Sequence, residues 1–239
     1  MTTAPNGLRA DFDGTTIRVE FDTEDGENRL SPDMMKWTTE LLLTPPEGAR
    51  VLVLSAVGSA FCLGPKRAAD AGQTVHDLGL SIATFNQAMR ETELVTIAQV
   101  DGTAAGFGVG VACLPDITIG GDDASFVLPE VMHDLTPALV LSWLVDVTGP
   151  KTSRFLALSG LSIGVDRAHA VGLVDMVVSS AALTEETEQL VEHLMTMAPA
   201  TVSEIKRFIR DRRGLSSPDA EVLAIERMSA WDERRNQPD

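Results

Sequence analysis

Between Val100 and Glu130 the chain reads VDGTAAGFGVGVACLPDITIGGDDASFVLPE, a stretch holding two parts that proton transfer next to a carbonyl requires. Gly102, Gly106, Gly108 and Gly110 let the main chain turn tightly and approach another group closely. N–H groups left open at the start of the following helix can then receive a developing oxyanion. Glu130 comes after a short strand pattern, Ala124–Leu128, and Pro129. A carboxylate beside an apolar pocket loses solvation, which raises its pKa toward a value useful in a base. His133 and Asp134 stand just beyond it and read in two ways, as auxiliary proton-handling groups or as surface and hydrogen-bonded structural residues. The other histidines, His76, His169 and His193, fall in helical patterns without metal-ligand spacing, and Cys62 and Cys113 are too few for a cysteine zinc site or a disulfide framework. No metal is expected, and both cysteines read as small core residues.

The elements that must position these groups follow from periodicity. Thr16–Asp22 alternates as a strand, and Ser31-Pro32-Asp33 opens a helical pattern that runs to Leu43 and stops before Pro45-Pro46. Arg50–Ser55 is a near-continuous apolar run of the kind buried on both faces, followed by a turn-rich loop from Gly58 to Pro65. A long helix is predicted over Thr74–Glu91, strands over Val95–Val100 and Ile117–Ile119, and a helix over Val109–Leu114 between them. After Glu130 the pattern becomes mostly helical, around Pro137–Val147, Ser153–Leu158 and Asp166–Gly172. A strand at Val174–Val178 precedes helices at Thr184–Met197, Thr201–Arg213 and Pro218–Asp232. Recurring strand, strand, helix units imply an α/β core covered by a helical last third.

Composition narrows the function classes. The 239 residues carry a formal charge of −16 and 44% hydrophobic residues. Such an acidic chain would repel nucleic-acid phosphates and anionic membranes, and no apolar run approaches a membrane span. The N-terminus lacks the basic-then-apolar order of a secretory signal, so a cytoplasmic protein is expected. A local phosphate site at Lys66-Arg67 remains compatible with this charge.

The Val100–Glu130 segment resembles the signature of the enoyl-CoA hydratase/isomerase (crotonase) superfamily, roughly NG.A.GGG.ELA..CD followed by F..PE. The resemblance covers nearly the whole chain. Asn28-Arg29-Leu30-Ser31-Pro32 is similar to the family's NALS block, Ser59–Gly64 to its.AFCAG loop, and Leu158–Val174 to its LTG..I.A.EA...GLV block. It implies an α/β fold, a crotonase-like spiral of ββα units over residues 1–180, with a helical C-terminal region over 181–239 that forms trimers or dimers of trimers. Carried over by position, it implies backbone oxyanion donors at Leu63 and Phe107 and Glu130 as the base. Arg29, Phe61, Gly64, Lys66, Arg67, Gly106, Gly108 and Gly110 would bind substrate. The substrate implied is a small acyl molecule on CoA, with no permanently bound cofactor.

Three departures shape the expected reaction. Gly110 stands where hydratases carry their first catalytic glutamate, which moves the expectation from hydration toward double-bond isomerisation, a reaction that one base can perform. The loop continues Gly64-Pro65-Lys66-Arg67, and Pro65 removes an N–H, while Lys66 and Arg67 can meet phosphate. His133–Val140 replaces a glycine-rich block near the acyl pocket. These changes leave open a retro-Claisen C–C hydrolase acting on a free or carrier-bound substrate, and a non-catalytic binding subunit.

Overall fold

A computed structural model describes residues 3–66 and 74–235, which divide into two compact units, 1–195 and 196–239. In the first unit the strands are β1 (Leu8–Phe12), β2 (Thr16–Phe21), β3 (Val51–Ala56), β4 (Ala60–Cys62), β5 (Val95–Val100), β6 (Thr103–Ala105), β7 (Ile117–Gly120), β8 (Ser125–Val127), β9 (Ile163–Gly164) and β10 (Met176–Val177). Its helices are α1 (Pro32–Leu43), α2 (Val75–Glu91), α3 (Phe107–Cys113), α4 (Ala138–Ser159), α5 (Val165–Ala170) and α6 (Leu183–Met195).

The large sheet has the order β1-β2-β3-β5-β7-β10, antiparallel only between β1 and β2. The small sheet has the order β4-β6-β8-β9, parallel except for β8 with β9. Thus β3, β5 and β7 stack side by side in one sheet, and the strand following each stacks in the other. The chain climbs as a spiral of ββα turns, the crotonase fold.

Local chemistry accounts for the elements. All residues from Val51 to Leu54 are buried, as expected for a parallel strand covered on both faces. Helix α1 starts with Pro32 at its first position, behind Ser31, whose hydroxyl accepts the Met34 N–H at 3.2 Å. Helix α2 starts with a reciprocal cap: Thr74 Oγ1 accepts the Asp77 N–H at 3.1 Å, and Asp77 Oδ2 accepts the Thr74 N–H at 3.0 Å. Helix α4 breaks at Gly149 (φ 73°) before Pro150, so its two halves match the two apolar stretches expected there.

Strands β1, β4, β6 and β9 were not foreseen. The segment expected to be only a loop, Gly58–Pro65, contains β4, and the glycine-rich turn contains β6. Strands β4, β6 and β9, of two or three residues, are too short to show an alternation and are defined by their partners, whereas β1 does alternate, through Leu8, Ala10 and Phe12. Helix α6 belongs to the first unit, where Leu183, Thr187 and Val191 are buried and Arg18 holds Glu188 at 2.7 Å. The second unit comprises α7 (Pro199–Asp211) and α8 (Ser217–Arg235), tied by Arg227, which donates to Glu204 at 3.0 Å and to Asp211.

Candidate active site

Glu130 is the second residue of a 3₁₀ turn, Pro129–His133, just after β8. Its Oε1 lies 2.7 Å from where a Cβ on Gly106 would stand, so only glycine allows the carboxylate to rest there. Its Oε2 is buried and has no hydrogen-bond partner. Burial raises the Glu130 pKa above the ordinary 4.5, partly offset by its own backbone N–H and by His133. Glu130 is thus a half-buried carboxylate with one oxygen that no protein group holds.

Gly106 is the hinge between β6 and α3. Its φ is 55°, and its N–H donates to Val127 O at 2.9 Å, joining this turn to the strand that delivers Glu130. Phe107 follows as the first residue of α3, where a backbone N–H has no acceptor within the helix. Its ring packs edge-on against Phe85 at 5.5 Å, which fixes the helix start. The Phe107 nitrogen lies 4.0 Å from the Cβ position of Gly64, so the Leu63–Lys66 loop and the start of α3 face each other.

Backbone accounting in that loop corrects one expectation. The Leu63 N–H donates to Glu27 O at 3.1 Å and is not open to an oxyanion. Pro65 has no N–H, and the Lys66 N–H donates to Leu30 O at 2.8 Å. Among the described residues, Gly64 therefore carries the loop's one backbone donor without a carbonyl partner, and it lies against the Cys62 sulfur. Gly64 and Phe107 are thus the residues of this loop and of the start of α3 whose N–H groups lack a carbonyl partner.

Both face a cavity of roughly 830 Å³, whose wall includes Leu63, Ile82, Phe107, Leu139 and Val140 together with Glu130. Arg29, Gly64, Gly106, Gly110 and His133 also border it. Arg29 is engaged locally: Nε donates to Glu27 Oε2 at 2.6 Å and Nη1 to the Leu63 carbonyl, so the guanidinium holds the loop in place.

Other expected site residues lie elsewhere. Phe61 is fully buried and packs edge-on against Phe21 at 5.7 Å, a core contact and not a wall of the cavity. Gly108 is also off the cavity; a Cβ there would fall 1.9 Å from Cys62 O, so this glycine serves the close packing of α3 on β4. Lys66 is exposed, with Nζ 3.9 Å from Asp25. Asp134, in the left-handed region (φ 55°), ends the 3₁₀ turn and is not on the wall beside His133. Arg67 lies outside the described residues. Cys62 is buried, which pushes its thiol pKa up to about 12 and excludes it as a nucleophile at neutral pH.

Gly110 behaves differently from Gly108. A Cβ at Gly110 would meet Asn86 Oδ1, Leu114 Cδ1 and Phe107 Cδ2 each at 3.8 Å, ordinary contact distances. Replacing this helical glycine by alanine is therefore expected to stabilise the protein by about 0.5–1 kcal/mol, raising Tm by roughly 1–4 °C. Calorimetric melting of Gly110→Ala checks this, and a fall in Tm would show that the methyl is not accommodated at this position.

Among the wall residues that sequence reasoning missed are Asn86 on α2 and Trp143 on α4. Asn86 interrupts the buried stripe Leu78, Ile82, Phe85 and Met89 of α2. A polar residue at a core position of an amphipathic helix was the available signal.

The ββα spiral thus carries one cavity wall on which Glu130 and the start of α3 meet. The profile of the enoyl-CoA hydratase/isomerase family matches residues 11–233, and the chain belongs to this family. It is 32% identical over 168 residues to 1,2-epoxyphenylacetyl-CoA isomerase of Escherichia coli K12, a match that spans 67% of this chain and 64% of that relative. It is 26% identical over 227 residues to hydroxycinnamoyl-CoA hydratase-lyase of Pseudomonas fluorescens, covering 86% of this chain and 82% of that one. Among solved structures, human enoyl Coenzyme A hydratase domain-containing protein 3 superposes with a TM-score of 0.88 at 22% identity, covering 94% of this chain and 91% of that one. An enoyl-CoA hydratase candidate of Thermobifida fusca YX, solved with CoA, gives a TM-score of 0.85 at 23% identity and covers 98% of both chains. No helix among the described residues is long and apolar enough to cross a membrane.

Proposed function

We propose that this protein shifts a double bond in an acyl-CoA thioester, with Glu130 as the group that removes and returns the proton. The carrying observation is the half-buried carboxylate of Glu130 against Gly106, its Oε2 without a partner, with no acid at Gly110 to hold a water for hydration. The thioester carbonyl accepts from the Phe107 and Gly64 N–H groups. Glu130 takes a proton from the carbon beside that carbonyl or from the far end of the three-carbon unit. Negative charge moves onto the carbonyl oxygen, where the two donors stabilise it, and the proton returns at the other carbon as the double bond relocates. Atoms balance without water or a second acid.

The CoA portion is proposed from family membership and from the ligand of the Thermobifida fusca structure. Enoyl-CoA isomers of several chain lengths, offered with and without the protein and followed by interconversion of the 2- and 3-enoyl forms, test the reaction. Accumulation of 3-hydroxyacyl-CoA in place of the isomer would reverse the assignment to hydration.

The pH profile supplies a second expectation. Glu130 must be ionised to accept a proton, and its pKa lies above 4.5 because of burial. The acid limb of kcat/KM is therefore expected above pH 4.5, with activity rising as pH rises through it. A limb at or below that value would mean that the carboxylate is better solvated in solution.

A further inference from the structure

The cavity runs along one helix for much of that helix's length. Wall residues of α2 extend from Val75 to Asn86, a rise of about 16 Å along the helix axis. Asn86 marks the inner end, since the Cβ position of Gly110 lies 3.8 Å from both Asn86 Oδ1 and Phe107 Cδ2. Asn86 Oδ1 and Trp143 Nε1 are closed to solvent, so neither atom adds polar surface to the cavity. The outer end is apolar and open. Val75, Leu80 and Leu135 border the cavity and are 77%, 55% and 51% exposed. The Cβ position of Gly79 lies 3.9 Å from Leu139 Cδ1, so the starts of α2 and α4 meet on this wall. The Leu135 N–H donates to Glu130 O at 3.0 Å, which places the rim next to the turn that carries the base. Single exposed leucines are ordinary on a protein surface, whereas three large apolar side chains at the mouth of one cavity, continuous with its apolar wall, point to a ligand that covers them.

We infer that the preferred acyl group is a medium- or long-chain hydrocarbon, whose tail runs along α2 and leaves the cavity between Val75, Leu80 and Leu135. The inference rests on the acyl-thioester reading above and names the chain class within it. A four-carbon acyl group is far shorter than the α2 wall and would leave the rim in water. A longer tail covers the rim side chains and loses its own hydration at the same time, which is the gain that apolar surface makes on leaving water. Each methylene fully buried in this way is worth up to about fourfold in affinity. The occupant is the substrate's own tail because the rim is one surface with the wall that holds Glu130, so a chain whose carbonyl lies near the base reaches the rim by extension alone.

The test compares calorimetric dissociation constants for saturated acyl-CoAs from butyryl to dodecanoyl, each below its micelle concentration. Decanoyl-CoA is expected to bind about tenfold or more tightly than butyryl-CoA. Leu80→Ser and Leu135→Ser are each expected to lower that ratio about threefold or more. Both side chains are more than half exposed, so each variant should melt within about 2 °C of wild type. A larger fall in Tm would give these leucines a packing task and count against the inference. If decanoyl- and butyryl-CoA bind within about twofold of each other, or if the ratio survives both substitutions, the chain class is overturned while the thioester reading stands. Light scattering of the same proteins gives a further check. Should wild type be an assembly that either serine variant breaks into single chains, a second copy covers the rim and the inference falls. Failure of every acyl-CoA to bind would remove the thioester reading and this inference together.

Discussion

Glu130→Gln is expected to lower turnover of the accepted enoyl thioester by about 10²–10⁴-fold with little change in KM. Glutamine keeps the shape that rests against Gly106, so the carbonyl should still reach the Phe107 and Gly64 donors. What it loses is the ability to take a proton. Stability provides an internal control, because the raised Glu130 pKa means that ionisation is less favourable in the folded than in the unfolded chain. The folded state binds more protons between pH 4.5 and the raised pKa, so this group's contribution to stability is full below 4.5 and is lost as pH rises through that window. Glutamine does not titrate, and its Tm relative to wild type should therefore improve as pH is raised across the same range. Full turnover by Glu130→Gln would end the proton-shuttle assignment, whereas no turnover of any acyl thioester by either protein would favour the non-catalytic binding reading.

The same residue marks how far sequence reasoning reached. Glu130 and the Gly106–Phe107 turn were legible because each is local: a strand pattern ending in Pro129 and a cluster of glycines opening a helix. The fold was legible for a related reason, since buried parallel strands such as Val51–Leu54 show as unbroken apolar runs. The second donor was misplaced because the state of an N–H depends on a partner distant in sequence. Leu63 is closed by Glu27, thirty-six residues earlier in the chain, and only the folded backbone reveals that. Phe61 was misplaced for a like reason, as an aromatic next to a binding loop gives no sign of which face it turns to until Phe21 packs against it. Asn86 was legible in principle as a polar break in an apolar stripe, but its position beside Gly110 joins two helices that no local pattern connects.

Gly108→Ala is expected to be among the most damaging single-methyl additions in the chain. The added Cβ would fall 1.9 Å from Cys62 O and 2.8 Å from Cys62 C, and both are backbone atoms of β4 or its edge that no rotamer change can move aside. Alanine's advantage over glycine inside a helix, about 1 kcal/mol, is smaller than an overlap of this depth. We expect a net loss of roughly 3 kcal/mol or more and a Tm lower by about 6–12 °C. The molecule can relieve the clash only by moving α3 away from β4, and that movement carries Phe107 away from the Gly64 loop it faces. A displacement near 1 Å at such a donor lowers turnover by about 10²-fold, so kcat should fall even at temperatures where Gly108→Ala remains folded. Gly110→Ala, two residues further along the same helix, is the matched control, since its methyl meets nothing closer than 3.8 Å. Melting curves and turnover of the two variants, measured side by side, separate close helix-to-strand packing from a general need for glycine in α3. Equal behaviour of the two would mean that the approach of Gly108 to Cys62 does not set the position of the oxyanion donor.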